Sequence, residues 1–174
     1  MKDKKYMSCI KYFAGIILFT ILDQLTKSAA IRHLAGKQDF VLIPDVLELH
    51  YLENRGAAFG ILENQKLFFV LFCIIILGAI GFCYFRLPSE KKYIPLQWIG
   101  IFISAGAVGN LIDRIFRGFV VDFIYFRIIH FPVFNVADIY VTVGSIVLIL
   151  LMFFYYKEEE FNFLSIKQIE KKDS

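Results

Sequence analysis

Long apolar stretches alternate with shorter polar segments along the chain. Residues 67–85 and 93–112 contain no charged side chain, and residues 12–30 and 131–156 contain only three between them. A helix needs about 20 mostly apolar residues to cross the hydrocarbon core of a bilayer, because it rises about 1.5 Å per residue. We therefore predict four transmembrane helices, one over each of these stretches.

The composition agrees with this pattern. The 174 residues are 58% hydrophobic, with a mean hydropathy of +0.62, whereas soluble domains contain about 45–50% apolar residues. We expect a single membrane domain over residues 1–174. The basic start MKDKK followed by an apolar run is also typical of a cleavable signal peptide, but the polar segment DQLTK at 23–27 and the three later spans favour an uncleaved first helix.

The distribution of Lys and Arg predicts the orientation, because positive residues are retained on the cytoplasmic side. One side of the predicted bundle holds eleven of them in 36 positions, and the other side, the loops 31–66 and 113–130, holds seven in 54. We therefore expect both termini to be cytoplasmic and these two loops to face outward. The net charge of +3 follows from this asymmetry, so we expect no nucleic-acid partner.

The first outer loop has the pattern of two short strands. FVLI at 40–43 and VLELHYLE at 46–53 flank a Pro-Asp turn and are rich in β-branched and aromatic residues. We therefore expect the fold class to be an all-α membrane protein, with four transmembrane helices and a small extracytoplasmic β-containing loop domain. The short segment between the second and third spans makes those helices antiparallel neighbours.

Charged residues inside the first span lie on one helical face. Thr20, Asp23 and Lys27 are spaced i, i+3 and i+7, and the last two form an i, i+4 pair. A charge at mid-membrane costs about 2.5–3.5 kcal/mol on insertion scales. The pair is either self-neutralising near the outer interface, with Lys27 extended toward the headgroups, or part of a functional site.

The third span ends in a second polar group, Asn110, Asp113 and Arg114. The planar fork of donors on Arg114 suits a carboxylate or a carbonyl. These residues either clamp a loop to the helix or take part in the chemistry. The small residues at 104–109 predict a close approach of another helix.

The fourth span carries a polar stripe of Asn135, Asp138, Thr142 and Ser145, which we expect to face the bundle. In the loop before it, Asp122 stands among apolar neighbours, which destabilise its charged form and raise its pKa. Both aspartates lie on the predicted outer side, so they can converge and share one proton. Such a pair activates water and protonates a peptide carbonyl in aspartyl proteases.

Other chemistries lack the residues that they need. No HExxH or GxSxG motif occurs, and His33, His50 and His130 are scattered over the outer loops. The three cysteines form neither a disulfide framework nor a metal cluster. Two non-protease alternatives stay open from the residues alone: a proton-coupled transporter or channel, which also uses membrane carboxylates, and a non-catalytic assembly factor.

Four blocks of the chain resemble the lipoprotein signal peptidases (signal peptidase II) of bacteria. They are DQLTK at 23–27, NRGAAFG at 54–60, GNLIDR at 109–114 leading into GFVVDF at 118–123, and FNVAD at 134–138. The blocks occur in the order and approximate spacing of the family. Each alone is a weak signal, but together they are specific.

The resemblance implies that Asp122 and Asp138 are the catalytic pair. It implies that the following residues line or support the site: Asp23, Asn54, Asn110, Asp113, Arg114 and Asn135. Gly56, in the turn at 54–58, either permits a close approach of the substrate backbone over the site or simply forms a tight loop.

The family cleaves the signal peptide from prolipoproteins just before a diacylglyceryl-modified cysteine, without a cofactor or metal. We therefore expect an aspartyl endopeptidase of the bacterial cytoplasmic (inner) membrane, with its active site near the outer face. Its partners would be the lipidated signal peptide and membrane lipid, and we expect a monomer.

Overall fold

A computed structural model describes residues 2–56 and 65–164. Within these ranges, four helices are long and apolar enough to cross a membrane: α1 (Lys2–Leu34), α2 (Lys66–Arg86), α3 (Ile94–Phe116) and α4 (Val136–Phe154). The predicted class, an all-α membrane protein with four transmembrane helices, is confirmed.

Several helix ends differ from the predicted spans. α1 extends beyond the predicted 12–30 at both ends. α4 begins at Val136 rather than at the predicted 131, because the residues before it are extended: the amides of Phe134 and Ile124 donate to each other's carbonyl groups over 3.0 and 2.8 Å. Pro132 in this segment also lacks the N–H that a helix interior requires.

The described residues form one antiparallel sheet of three strands, in the order β1 (Phe40–Ile43), β2 (Leu47–Asn54) and β3 (Val120–Phe126). β1 and β2 confirm the strands predicted at 40–43 and 46–53. β3 lies within the second predicted loop, 113–130, where the sequence analysis predicts no strand, and α3 itself extends into that loop as far as Phe116.

The sheet lies at the end of the bundle where α1 and α3 end and where α2 and α4 begin. We call this the sheet end. Leu52 of β2 is paired with Asp122 of β3, so the end of β2 lies beside this aspartate.

α3 is the central helix and packs against each of the other three. Small residues allow this close packing: a Cβ atom on Gly106 would collide with the carbonyl oxygen of Ala137, and one on Gly109 would collide with the carboxylate of Asp23. The close approach predicted for residues 104–109 is therefore present, and it brings α1 and α4 together across α3.

The polar stripe predicted on α4 faces the bundle only in part. Asn135 is buried, but Thr142 is exposed, so that part of the prediction is wrong. The helix instead packs through its small residues Ala137 and Gly144, which are buried because they permit the closest approach to α3. The polar stripe therefore does not point straight at α3. Two of its residues, Asp138 and Thr142, instead line a cavity at the sheet end.

Candidate active site

A cavity of about 550 Å³ opens at the sheet end. Six of the nine site residues suggested by the sequence line it: Asn54, Gly56, Asn110, Arg114, Asp122 and Asp138. The other three lie fully buried behind it: Asp23, Asp113 and Asn135. Thr142 and seven apolar residues form the rest of the wall: Val120, Phe131, Pro132, Val133, Phe134, Ile139 and Val143. The structure thus gathers the predicted polar residues beside an apolar surface.

β3 places Asp122 at the cavity with only 1% of its surface exposed. Its carboxylate accepts hydrogen bonds from the side-chain amides of Asn54 (2.9 Å) and Asn135 (2.6 Å). Burial raises the pKa of Asp122 to about 7, and the negative charge of Asp138 adds to this rise. Asp122 therefore holds a proton near neutral pH far more readily than an ordinary aspartate.

The first turn of α4 places Asp138. Its carboxylate accepts the backbone N–H of Asn135 (3.1 Å), while its own N–H donates to the side-chain oxygen of Asn135 (3.0 Å), which is a reciprocal helix cap. The amide of Asn110 donates to the other carboxylate oxygen over 2.8 Å. Asn135 therefore contacts both aspartates and links the first turn of α4 to β3.

Lys27 lies at the centre of a buried ionic network behind the cavity. Its Nζ lies 2.9 Å from a carboxylate oxygen of Asp23 and 3.0 Å from one of Asp113, and all three side chains are fully buried. It also donates to the side-chain oxygen of Asn110 over 2.8 Å. The i, i+4 pair considered from the sequence is present, but Lys27 is fully buried and shared with Asp113, so the expectation that it extends toward the headgroups is wrong.

The two carboxylates of this network hold the backbone next to each candidate aspartate. Asp23 accepts the N–H of Ala137, one residue before Asp138, over 3.0 Å. Asp113 accepts the N–H of Val121, one residue before Asp122, over 3.1 Å. Both segments that carry the aspartates are therefore fixed to one cluster of charges.

Gln24 and Arg117 complete the network, and the sequence reasoning did not include them. Gln24 donates to Asp113 over 3.1 Å, and Arg117 pairs with the same carboxylate. The i, i+4 spacing of Asp113 and Arg117 could have indicated this pair. The formal charges of Asp23, Lys27, Asp113 and Arg117 sum to zero. Among the described residues, no buried side-chain nitrogen or oxygen lacks a hydrogen-bond partner.

Arg114 lies at the cavity wall. Its guanidinium donates to the carbonyls of Asn110 and Gly56 over 3.4 and 3.5 Å, and it lies over the ring of Phe69. Gly56 is the last described residue of the turn predicted at 54–58, and Ala57 and Ala58 lie outside the described residues.

The arrangement suits acid–base chemistry by carboxylates. Over residues 2–56 and 65–164, no group of three or more His, Cys, Asp or Glu side chains could hold a metal ion. His33, His50 and His130 do not line the cavity. Two carboxylates in contrasting surroundings can share one proton, so that one accepts a proton while the other donates.

Comparisons with known proteins identify the family. A sequence model described as signal peptidase (SPase) II matches residues 15–154. The lipoprotein signal peptidase of Clostridium tetani is 43% identical over 137 residues, which are 77% of this chain and 86% of that protein. The lipoprotein signal peptidase of Clostridioides difficile is 44% identical over 137 residues, 79% of this chain and 90% of that protein.

A solved structure supports the same assignment. A bacterial membrane enzyme determined by the in meso method superposes with a TM-score of 0.70 and 34% sequence identity, over 85% of this chain and 92% of that one. Sequence and fold agree over most of both chains. We conclude that the chain belongs to the signal peptidase II family.

Proposed function

We propose that the chain is the aspartyl endopeptidase that removes the signal peptide from diacylglyceryl-modified lipoprotein precursors, with Asp122 and Asp138 as its catalytic pair. The family and the relatives named lipoprotein signal peptidase support the activity. The observation that supports the pair is that β3 and α4 bring both carboxylates to one cavity, joined through Asn135. The transporter and assembly-factor alternatives lose their basis with the family assignment.

The different surroundings of the Asp122 and Asp138 carboxylates suggest their roles. Asp138, at the start of α4, accepts a proton from the water that attacks the peptide carbonyl carbon. Asp122, buried and protonated, donates its proton to the carbonyl oxygen, which gives a neutral tetrahedral diol. Asp138 then transfers the proton to the amide nitrogen as the C–N bond breaks, and Asp122 takes back the hydroxyl proton as the carboxyl group forms.

Arg114 is proposed to bind the peptide. Its guanidinium has five N–H donors, of which the two long bonds to backbone carbonyls use only part. A donor directed into the cavity can reach the scissile carbonyl, where negative charge develops during attack. The apolar wall at 131–134 would contact the apolar part of the substrate.

The membrane arrangement is part of the proposal. The excess of Lys and Arg at the opposite end of the bundle favours cytoplasmic termini and an outward-facing sheet end. A lipid-anchored cysteine would then present its peptide bond at the depth of the cavity, with its acyl chains in the bilayer. We propose that the enzyme works as a monomer and without a metal or cofactor.

A cleavage assay tests the proposal. Purified enzyme in lipid is given the same precursor with and without the diacylglyceryl group. Only the modified form should be cut, and Asp122→Asn and Asp138→Asn should each lower the rate by several orders of magnitude. Asp45→Asn, at an exposed carboxylate in the β1–β2 turn, is the matched control and should cleave normally. Full activity in either of the first two variants would contradict the catalytic pair.

A further inference from the structure

The Arg114 side chain is weakly held by its polar contacts. Both of its hydrogen bonds go to backbone carbonyls and are long, at 3.4 and 3.5 Å, for N–H···O bonds. A long side chain with such contacts loses substantial rotamer entropy when it is fixed in one direction. The direction of the guanidinium therefore depends on what packs against its face.

Phe69, in the first turn of α2, packs against that face. The guanidinium carbon lies 4.8 Å from the centre of the ring, within the range of about 6 Å over which a ring attracts a cation. Phe69 is half-buried, whereas Phe68 and Phe72 on the same helix are 49% and 52% exposed. The ring of Phe69 is thus directed toward α3, while its neighbours face outward.

The start of α2 is fixed to the same part of α3. Lys66 donates to the carbonyl of Ile115, the residue after Arg114, over 3.1 Å. No described residue of α2 lines the cavity. α2 therefore reaches the site through the aromatic ring that packs against the guanidinium.

We propose that Phe69 is a positioning residue for the peptidase reaction: its ring holds the guanidinium of Arg114 at the cavity wall, directed at the scissile carbonyl. The inference rests on the proposed function, because it requires that Arg114 binds this carbonyl. Donors that are fixed before the reaction do not have to reorganise during it. They therefore stabilise the negative charge that develops on the carbonyl oxygen more effectively. Without the ring, the guanidinium adopts other rotamers and part of this stabilisation is lost.

The test compares variants at two phenylalanines of α2. Phe69→Leu keeps an apolar side chain but removes the π face, and it should lower kcat/KM for the diacylglyceryl-modified precursor by about tenfold, mainly through kcat. Phe69→Trp keeps the π face and should stay within about threefold of wild type. Phe72→Leu is the control, since this ring stacks on Phe68 and faces outward. It should change kcat/KM by less than about twofold.

A double-mutant cycle separates positioning from packing. Phe69→Leu should cost much less in an Arg114→Lys background than in wild type, because the group that it positions is already altered. Thermal unfolding midpoints are measured for each variant, and Phe69→Met replaces the Leu variant if that one fails to fold. An equal loss in both backgrounds, or a loss no larger than that of Phe72→Leu, would overturn the inference.

The proposed function is tested separately in the same assay. If wild type cleaves the modified precursor and Asp122→Asn does not, the proposed function stands, whatever the Phe69 variants show. If wild type fails to cleave it, the proposed function itself is wrong.

Discussion

Replacing Lys27 by Met removes the central cation of the buried network while keeping a side chain of similar length. Asp23 and Asp113 lose their ion pairs of 2.9 and 3.0 Å, and Asn110 loses a donor at 2.8 Å. The network changes from neutral to a net charge of −1, with Arg117 as the remaining cation. A fully buried carboxylate is then left without its partner.

The expected cost is large, because breaking a buried ion pair by removing one partner costs about 3–5 kcal/mol. Asp23→Asn in the same chain restores neutrality, since Asp113 keeps Arg117. The double variant should therefore regain roughly half of the lost free energy of unfolding. Activity should fall about 100-fold in Lys27→Met, because a displacement of about 1 Å at the backbone beside both aspartates is enough for such a loss.

The assay is reversible unfolding in detergent, followed by circular dichroism, together with precursor cleavage. Lys37→Met is the matched control, because Lys37 is exposed and its Nζ donates to a backbone carbonyl, that of Arg32. It should stay within about 0.5 kcal/mol of wild type. The reasoning is refuted if Lys27→Met is as stable and active as Lys37→Met, or if adding Asp23→Asn destabilises it further.

Four further predictions concern the pH dependence of cleavage, helix packing and metal removal. Because the pKa of Asp122 is raised to about 7 and its protonated form is the proposed acid, kcat/KM should fall as pH rises through this value. Asn54→Ala removes a donor that lowers this pKa, so the fall should move to higher pH in a pH–rate profile. Gly106→Ala should destabilise the fold by about 1–3 kcal/mol, because the new Cβ would collide with the carbonyl of Ala137, whereas Gly78→Ala, with open space around it, should not. Cleavage should be unchanged by EDTA, and a loss that zinc restores would contradict the carboxylate mechanism.

The sequence predicted the helices well because hydropathy over about 20 residues is a strong signal. It did not predict β3, although VVDFIYF at 120–126 is rich in β-branched and aromatic residues. The apolar neighbours of Asp122 indicate a raised pKa for this carboxyl, but the same residues also have the composition of a strand. Asn54 and Asn135, which bind that carboxylate, lie 68 and 13 residues away along the chain, so no local pattern reveals them as its partners.

The environment of Lys27 was unpredictable for a similar reason. Its i, i+4 neighbour Asp23 is visible in the sequence, and that pair alone is compatible with a position near the membrane surface. Its second partner, Asp113, is on another helix, and the burial of Lys27 depends on how closely α1 and α3 pack. Gly109 permits that packing, but the sequence does not say which helix approaches it.

The neutral buried ionic network around Lys27 also has a consequence for how the protein enters the membrane. α1 carries Asp23 and Lys27 four residues apart, and Asp113 of α3 and Arg117, which directly follows that helix, have the same spacing. Each of these pairs can therefore leave the translocation machinery with its two charges already compensated, which lowers the barrier to partitioning into lipid. Docking of α1 on α3 then adds the Lys27–Asp113 pair between them, so assembly of the two helices can follow their insertion.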